Sequence, residues 1–128
     1  MIKKGRRGDI LEAKNRAKNA GRHYIIYYGG GNGINFIGGM ITHKLSEKNK
    51  PMEKSHFEIL NKKGVKNKVV YDNTSLVIAK LVKFESWGPF IKIGTLSKEG
   101  IEFVVDTIDS LNSETWDEYT ERTKYIHL

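Results

Sequence analysis

Three adjoining stretches decide the fold: His23-Tyr24-Ile25-Ile26-Tyr27-Tyr28, then Gly29-Gly30-Gly31-Asn32-Gly33, then Ile34-Asn35-Phe36-Ile37-Gly38-Gly39-Met40-Ile41-Thr42. The first is β-branched and aromatic, which suits a pleated and largely buried strand. The glycine-rich stretch breaks the chain between two strands and reads as a turn. It has no Gly-Lys-Ser/Thr and no G-x-G-x-x-G spacing, so the phosphate-cradling signatures are missing. The third stretch returns as a strand, and its paired Gly38-Gly39 predicts a bulge or the close approach of another backbone.

Working outward, Gly8 to Ala13 holds Asp9-Ile10-Leu11, a first strand entered through a glycine, and Lys14 to Gly21 is a polar, basic loop without apolar periodicity. Downstream, Leu45 to Lys54 reads as a polar loop containing Pro51, His56 to Leu60 as a strand, and Asn61-Lys62-Lys63-Gly64 as a turn. Val69-Val70-Tyr71 reads as a short strand, and Ser75 to Ala79 as an apolar run leading into Lys80 to Phe84. Phe90 to Leu96 alternates at period two, the mark of a half-buried strand. Ser97 is placed to cap a helix, with Glu99 in its first turn where the dipole favours an anion. Ile101, Val104, Val105, Ile108 and Leu111 then fall on one helical face. Ser113 to Leu128 reads as a second helix or a continuation, anchored by Trp116, Tyr119 and Ile126. The expected architecture is mainly β: a small, highly bent sheet or barrel of five to seven strands closed by a C-terminal helix. Residues 1–112 would form the barrel with its helix, and 113–128 a helical extension of the same domain.

A chain of 128 residues fits one domain and can bury a core without a disulfide or metal staple. It contains no cysteine, which removes thiol catalysis, disulfide scaffolds and cysteine-based zinc sites. No apolar run approaches the ~18 to 20 residues that cross a bilayer, and Met1-Ile2-Lys3-Lys4-Gly5 lacks the hydrophobic stretch of a secretory signal, so a cytoplasmic protein is expected. The net charge of +7 is unevenly spread. Residues 1–68 carry 16 Lys+Arg against 5 Asp+Glu, whereas residues 69–128 carry 6 against 10. A basic half of that strength attracts polyphosphate, and each phosphate it neutralises releases counterions.

The order of these pieces resembles the MazF/PemK/Kid family of toxin endoribonucleases over about residues 5 to 111. Arg6-Arg7-Gly8-Asp9-Ile10 looks like the family's basic-Gly-Asp-Ile/Val first strand. Ala20-Gly21-Arg22-His23 followed by Tyr24-Ile25-Ile26-Tyr27 sits where the family has Gly-x-Arg-Pro and an apolar strand. Met40-Ile41-Thr42 is similar to its strand ending in Ile-Thr or Thr-Thr, and Lys50-Pro51 with His56-Phe57-Glu58-Ile59 to its Pro-x-His-Val-Glu segment. Ser75 to Ala79 and Gly94-Thr95-Leu96-Ser97 match its later buried strand and closing helix entry. The resemblance implies an SH3-like barrel, a homodimer, and metal-independent cleavage of single-stranded RNA at short sequences, with no cofactor. It also implies an antitoxin partner whose acidic, disordered tail fills the RNA groove. The chain departs from the pattern at one point: Gly21-Arg22-His23-Tyr24 replaces Gly-x-Arg-Pro, so His23 stands where the family arginine would fall if Tyr24 takes the proline position. Neighbouring strand residues face opposite sides, so Arg22 and His23 share one site only if the chain there is still a loop.

Metal-free RNA cleavage needs a base for the 2′-OH proton, donors for the developing phosphorane charge, and an acid for the leaving 5′-oxygen; the 2′-OH confines it to RNA. The expected catalytic set is Arg22 as phosphate clamp, His23 as proton-transfer group or replacement for the family arginine, and Thr42 as hydroxyl donor. His43 and His56 form a second tier, which leaves open a mechanism with paired imidazoles; of Thr42 and His43, at most one faces the groove. Lys14, Arg16 and Lys18 on one loop, and Lys44 and Lys50 on another, would track the RNA with His43 and His56, and tyrosines such as Tyr24 could stack bases. Two alternatives remain open: a CcdB-like toxin that acts on a topoisomerase by protein contact, and a non-catalytic SH3-like module that binds nucleic acid.

Overall fold

The computed structural model describes residues 5–16, 21–30, 36–43, 48–69 and 72–124. The chain is mainly β. Strands β1 (Asp9–Lys14), β2 (Arg22–Gly29), β3 (Ile37–Thr42), β4 (Asn49–Pro51), β5 (Ser75–Val77), β6 (Lys80–Leu81), β7 (Ile91–Thr95) and β8 (Ser113–Glu114) belong to one sheet, with helices α1 (Lys98–Ile108) and α2 (Trp116–Thr123). The main strand path is β4-β5-β3-β2-β1-β7, antiparallel throughout, with β6 paired to β3 and in parallel to β8.

The apolar run of β2 is explained by its place in the middle of this sheet. Ile26 and Tyr28 join Ile10, Ile41, Leu76, Ile93, Val104 and Ile108 in one core, on the face that α1 covers. Ile25 and Tyr27 join Leu11, Met40, Val77, Leu81, Phe84, Trp87 and Tyr119 in a second core on the other face, under α2 and the 82–90 segment. Successive strand side chains point to opposite faces, so a strand covered on both sides reads as continuous rather than alternating apolar sequence.

Local breaks bend the sheet. The register shifts between Ile10 and Leu11 where β1 meets β7, and between Tyr27 and Gly29 where β2 meets β3. Gly38 lies opposite the second shift, and a Cβ there would stand 2.9 Å from the Ile26 carbonyl oxygen, the close approach its glycine pair predicts. The apolar run from Ser75 to Phe84 is interrupted where Ala79 N–H donates back to Val77 O at 2.9 Å, so β5 and β6 pair with β3 at separate points.

Three expectations are corrected. The sheet has eight strands instead of five to seven. His56 to Leu60 is not a strand: Lys54–His56 is a 3₁₀ turn, followed by isolated bridges Phe57↔Leu96 and Leu60↔Lys66. The Leu45 to Lys54 loop instead contains edge strand β4. Val70, Tyr71 and the Gly31 to Asn35 part of the expected elements lie outside the described residues. The closing helix begins as anticipated, with Ser97 Oγ accepting from Gly100 N–H at 3.1 Å, and Val104 and Ile108 buried. Residues 113–124 form β8 and then a separate helix, started by a reciprocal Thr115–Glu118 capping box.

The 3₁₀ turn docks tightly on the start of α1. Ser97 N–H donates to His56 O at 2.9 Å and Ser97 Oγ donates to Ser55 O at 2.6 Å. Gly100 is the residue that lets the two backbones meet, since a Cβ there would lie 2.0 Å from His56 O. Alanine in a helix is worth about 1 kcal/mol over glycine, but this clash is with backbone and cannot be relieved by a rotamer change. Gly100→Ala should therefore destabilise the protein by about 2 kcal/mol in urea unfolding, the cost of overpacking outweighing the propensity gain. A more stable variant would contradict the docking.

At the far end of α1, the Tyr28 hydroxyl donates to Asp109 Oδ1, while the Arg7 guanidinium lies 4.3 Å over the Tyr28 ring and its Nε donates to Tyr28 O at 2.7 Å. Burial, followed by the Asp109 contact, raises the phenol pKa above its usual 10.0. A raised folded pKa means the fold favours the neutral phenol: this contribution is whole below about pH 10 and is lost as pH rises through the folded value. Tyr28→Phe should cost about 1 kcal/mol at neutral pH through the lost hydrogen bond, and should flatten the decline of stability above pH 10, as read by denaturant unfolding at each pH.

Candidate nucleic-acid interface

The candidate site lies where β1 leaves the sheet and β2 and β3 end beside it. Register places Lys14 opposite Arg22, Ala13 opposite His23, Glu12 opposite Tyr24, and Tyr24 opposite Ile41. Tyr24 packs against the α1-side core, to which Ile41 belongs. Alternation then puts Glu12, Lys14, Arg22 and His43 on that same face. Ala13 belongs to the opposite core, so His23 faces that way. Its ring sits 5.6 Å from Trp87 and 5.9 Å from Trp116 in edge-on and tilted contacts. Thr42, next but one to Met40 of that core, falls on the His23 side too.

The residues expected to work together are thus sorted by strand periodicity. Arg22 is in a regular strand rather than a loop, which separates it from His23. His43, of the second tier, comes to the Arg22 face: its ring meets Tyr24 edge-on at 5.7 Å. An open cleft of about 450 Å³ is lined by Glu12, Arg22, Tyr24, Ile41 and His43, and His23 and Thr42 line it as well. Arg22 Nη1 donates to Glu12 Oε1 at 2.9 Å, with the Arg22 side chain 62% exposed and the Glu12 side chain 25%. The guanidinium therefore spends one of its five N–H donors on the protein. Lys14 is exposed beside it at the end of β1.

The other cations diverge. Arg16 Nη2 donates to Glu85 O at 2.9 Å and its backbone N–H to Ser86 O at 2.8 Å, which fastens it to the segment after β6. Lys50 Nζ lies 4.8 Å over the Phe103 ring and 3.4 Å from Thr107 Oγ1, so it rests on α1. His56 Nδ1 accepts from Glu53 N–H at 2.9 Å and its ring lies tilted 4.4 Å from Phe103, the position of a capping residue. Lys18 and Lys44 lie outside the described residues.

Sequence reasoning missed Glu12. The available signal was its place between the apolar Leu11 and Ala13, where a carboxylate must face a solvated part of the sheet. On the far side Glu12 pairs with Ile91, which is 46% exposed, so an uncovered aliphatic surface borders the carboxylate. Among the described residues no three His, Asp or Glu side chains converge closely enough to hold a metal ion, and no helix is long and apolar enough to cross a membrane. Comparison with family models, curated proteins and solved structures finds no match to this chain.

Proposed function

We propose that the protein is a metal-independent endoribonuclease that cuts single-stranded RNA by attack of the ribose 2′-OH, as the toxin of a toxin-antitoxin pair of the MazF/PemK/Kid kind. The observation that carries this reading is the convergence of Arg22, His43 and Tyr24 on one open cleft. A planar guanidinium grips phosphate in two places and neutralises charge that grows on its oxygens. An imidazole, with an ordinary pKa near 6.5, gives and takes protons around neutral pH. A tyrosine face stacks a base at ~1 to 3 kcal/mol, whatever the base. Lys14 extends the cationic track along the outgoing strand.

In this reading His43 takes the proton-transfer role, and His23 holds the β2 end against Trp87 and Trp116. The finer fold is an SH3-like small barrel, supported by the two register shifts and the Gly38 contact, which curl the sheet. A cytoplasmic homodimer and an antitoxin whose acidic tail covers the same cleft complete the proposal. A non-catalytic RNA-binding module is the second reading, favoured by the Glu12–Arg22 ion pair, which is what a merely structural arginine would also make.

The test is purified protein with long single-stranded RNA in EDTA. Arg22→Ala and His43→Ala should each lower the cleavage rate by at least about 100-fold. His23→Ala and Thr42→Val should leave the rate per folded molecule within about threefold, and His23→Ala should lower the thermal midpoint through lost aromatic packing. RNA retarded in a gel yet uncut would favour the binding module, and RNA neither cut nor bound would reject both readings.

A further inference from the structure

We infer that Glu12 is the general base of this site, taking the proton from the attacking 2′-OH while His43 protonates the leaving oxygen. The inference rests on the ribonuclease reading above and adds a residue that no sequence motif suggested. Three features support it. Glu12 supplies the only carboxylate that lines the cleft among the described residues. It is directly opposite Tyr24, whose ring touches His43, so carboxylate and imidazole flank one aromatic platform from neighbouring strands on either side of β2. Two strand spacings of ~4.8 Å put their backbones on the order of 10 Å apart, a gap that a phosphodiester fills when both side chains reach inward.

Arg22 lies on the same face between them. Its Nη1 is 2.9 Å from Glu12 Oε1, a one-point contact that leaves the rest of the fork for a phosphate. Binding of the phosphate draws the guanidinium onto the non-bridging oxygens and frees a carboxylate lone pair for the ribose. The step balances without a further reactant. The 2′-oxygen bonds to phosphorus as its proton passes to the Glu12 carboxylate. The bond from phosphorus to the 5′-oxygen breaks, and the His43 imidazolium gives its proton to that oxygen. The products are a 2′,3′-cyclic phosphate and a free 5′-hydroxyl, with Glu12 protonated and His43 neutral.

A carboxylate that only orients Arg22 would affect RNA affinity and rate together; a base affects the rate and its pH dependence. The experiment measures cleavage of one single-stranded RNA in EDTA from pH 3.5 to 9 by wild type, Glu12→Gln and Glu12→Asp. Affinity is read on the same RNA made fully 2′-O-methyl, which cannot be cut. Glu12→Gln should lower kcat by at least about 100-fold while changing Kd by less than about threefold, and should abolish the acidic limb of the pH profile. Glu12→Asp should recover at least about tenfold of that loss and restore the limb. Wild-type products should end in 2′,3′-cyclic phosphate. The assignment is overturned if Glu12→Gln cuts within about threefold of wild type, or if rate and affinity fall together with the pH profile unchanged. RNA left intact by wild type would instead overturn the ribonuclease reading itself, and Glu12's role with it.

Discussion

Strand β2 is paired on both edges and buried on both faces, and everything of interest in the molecule follows from the parity of its residues. Tyr24, Ile26 and Tyr28 belong with the α1 side, Ile25 and Tyr27 with the α2 side. A slip of one residue would exchange the two sets and place every side chain in the wrong core, so burial of both faces fixes the register strongly. The same parity runs past the edge of the cores to Arg22 and His23. One face at that end is left open and receives the guanidinium; the other is filled by Trp87 and Trp116 and receives the imidazole. That these neighbours face different surroundings is thus a consequence of how the whole strand packs rather than of local chemistry.

Electrostatics act on top of that frame. The basic half of the chain builds β1 to β4; Lys14 and Arg22 lie exposed at neighbouring strand ends, whereas Arg16 is fastened to the segment after β6 and Lys50 rests on α1. The acidic half builds the helices, and several of its charges are committed internally: Glu114 takes both a 2.7 Å Nε and a 2.7 Å Nη2 contact from Arg122, and Glu118 closes the cap of α2. Such exposed pairs contribute little stability singly. In the basic half, the Glu12 carboxylate is aimed at the cleft's own arginine.

The main strands and the closing helix were legible because their residues carry period-two, continuous-apolar or helical patterns and, for α1, a serine cap. What was not legible has identifiable causes. Asn49-Lys50-Pro51 has no apolar alternation; as an edge strand it needs only backbone pairing with β5 and tolerates a proline. His56 to Leu60 has strand composition, yet the Glu53–His56 cap bends its start into a 3₁₀ turn, a tertiary preference set by Gly100 beneath it. At the site, Arg22 and His23 could be predicted to face opposite ways, but which way each faced could not. A strand buried on both sides gives no polar stripe to mark its open face, and the tryptophans that claim His23 are more than sixty residues further along the chain. Glu12 was hidden for the same reason, since its meaning comes from Tyr24 and Arg22 across the ladder.

The central claim is that the Arg22 and His43 face, not the His23 face, meets RNA. Histidine side chains report on it directly, because His23, His43 and His56 occupy three distinct environments. The measurement is an NMR titration of protein carrying ¹⁵N-labelled histidine with short, fully 2′-O-methyl single-stranded RNA. The account predicts that the His43 ring resonances move with saturation while those of His23 and His56 stay in place. Movement confined to His23, with His43 unaffected, would contradict it.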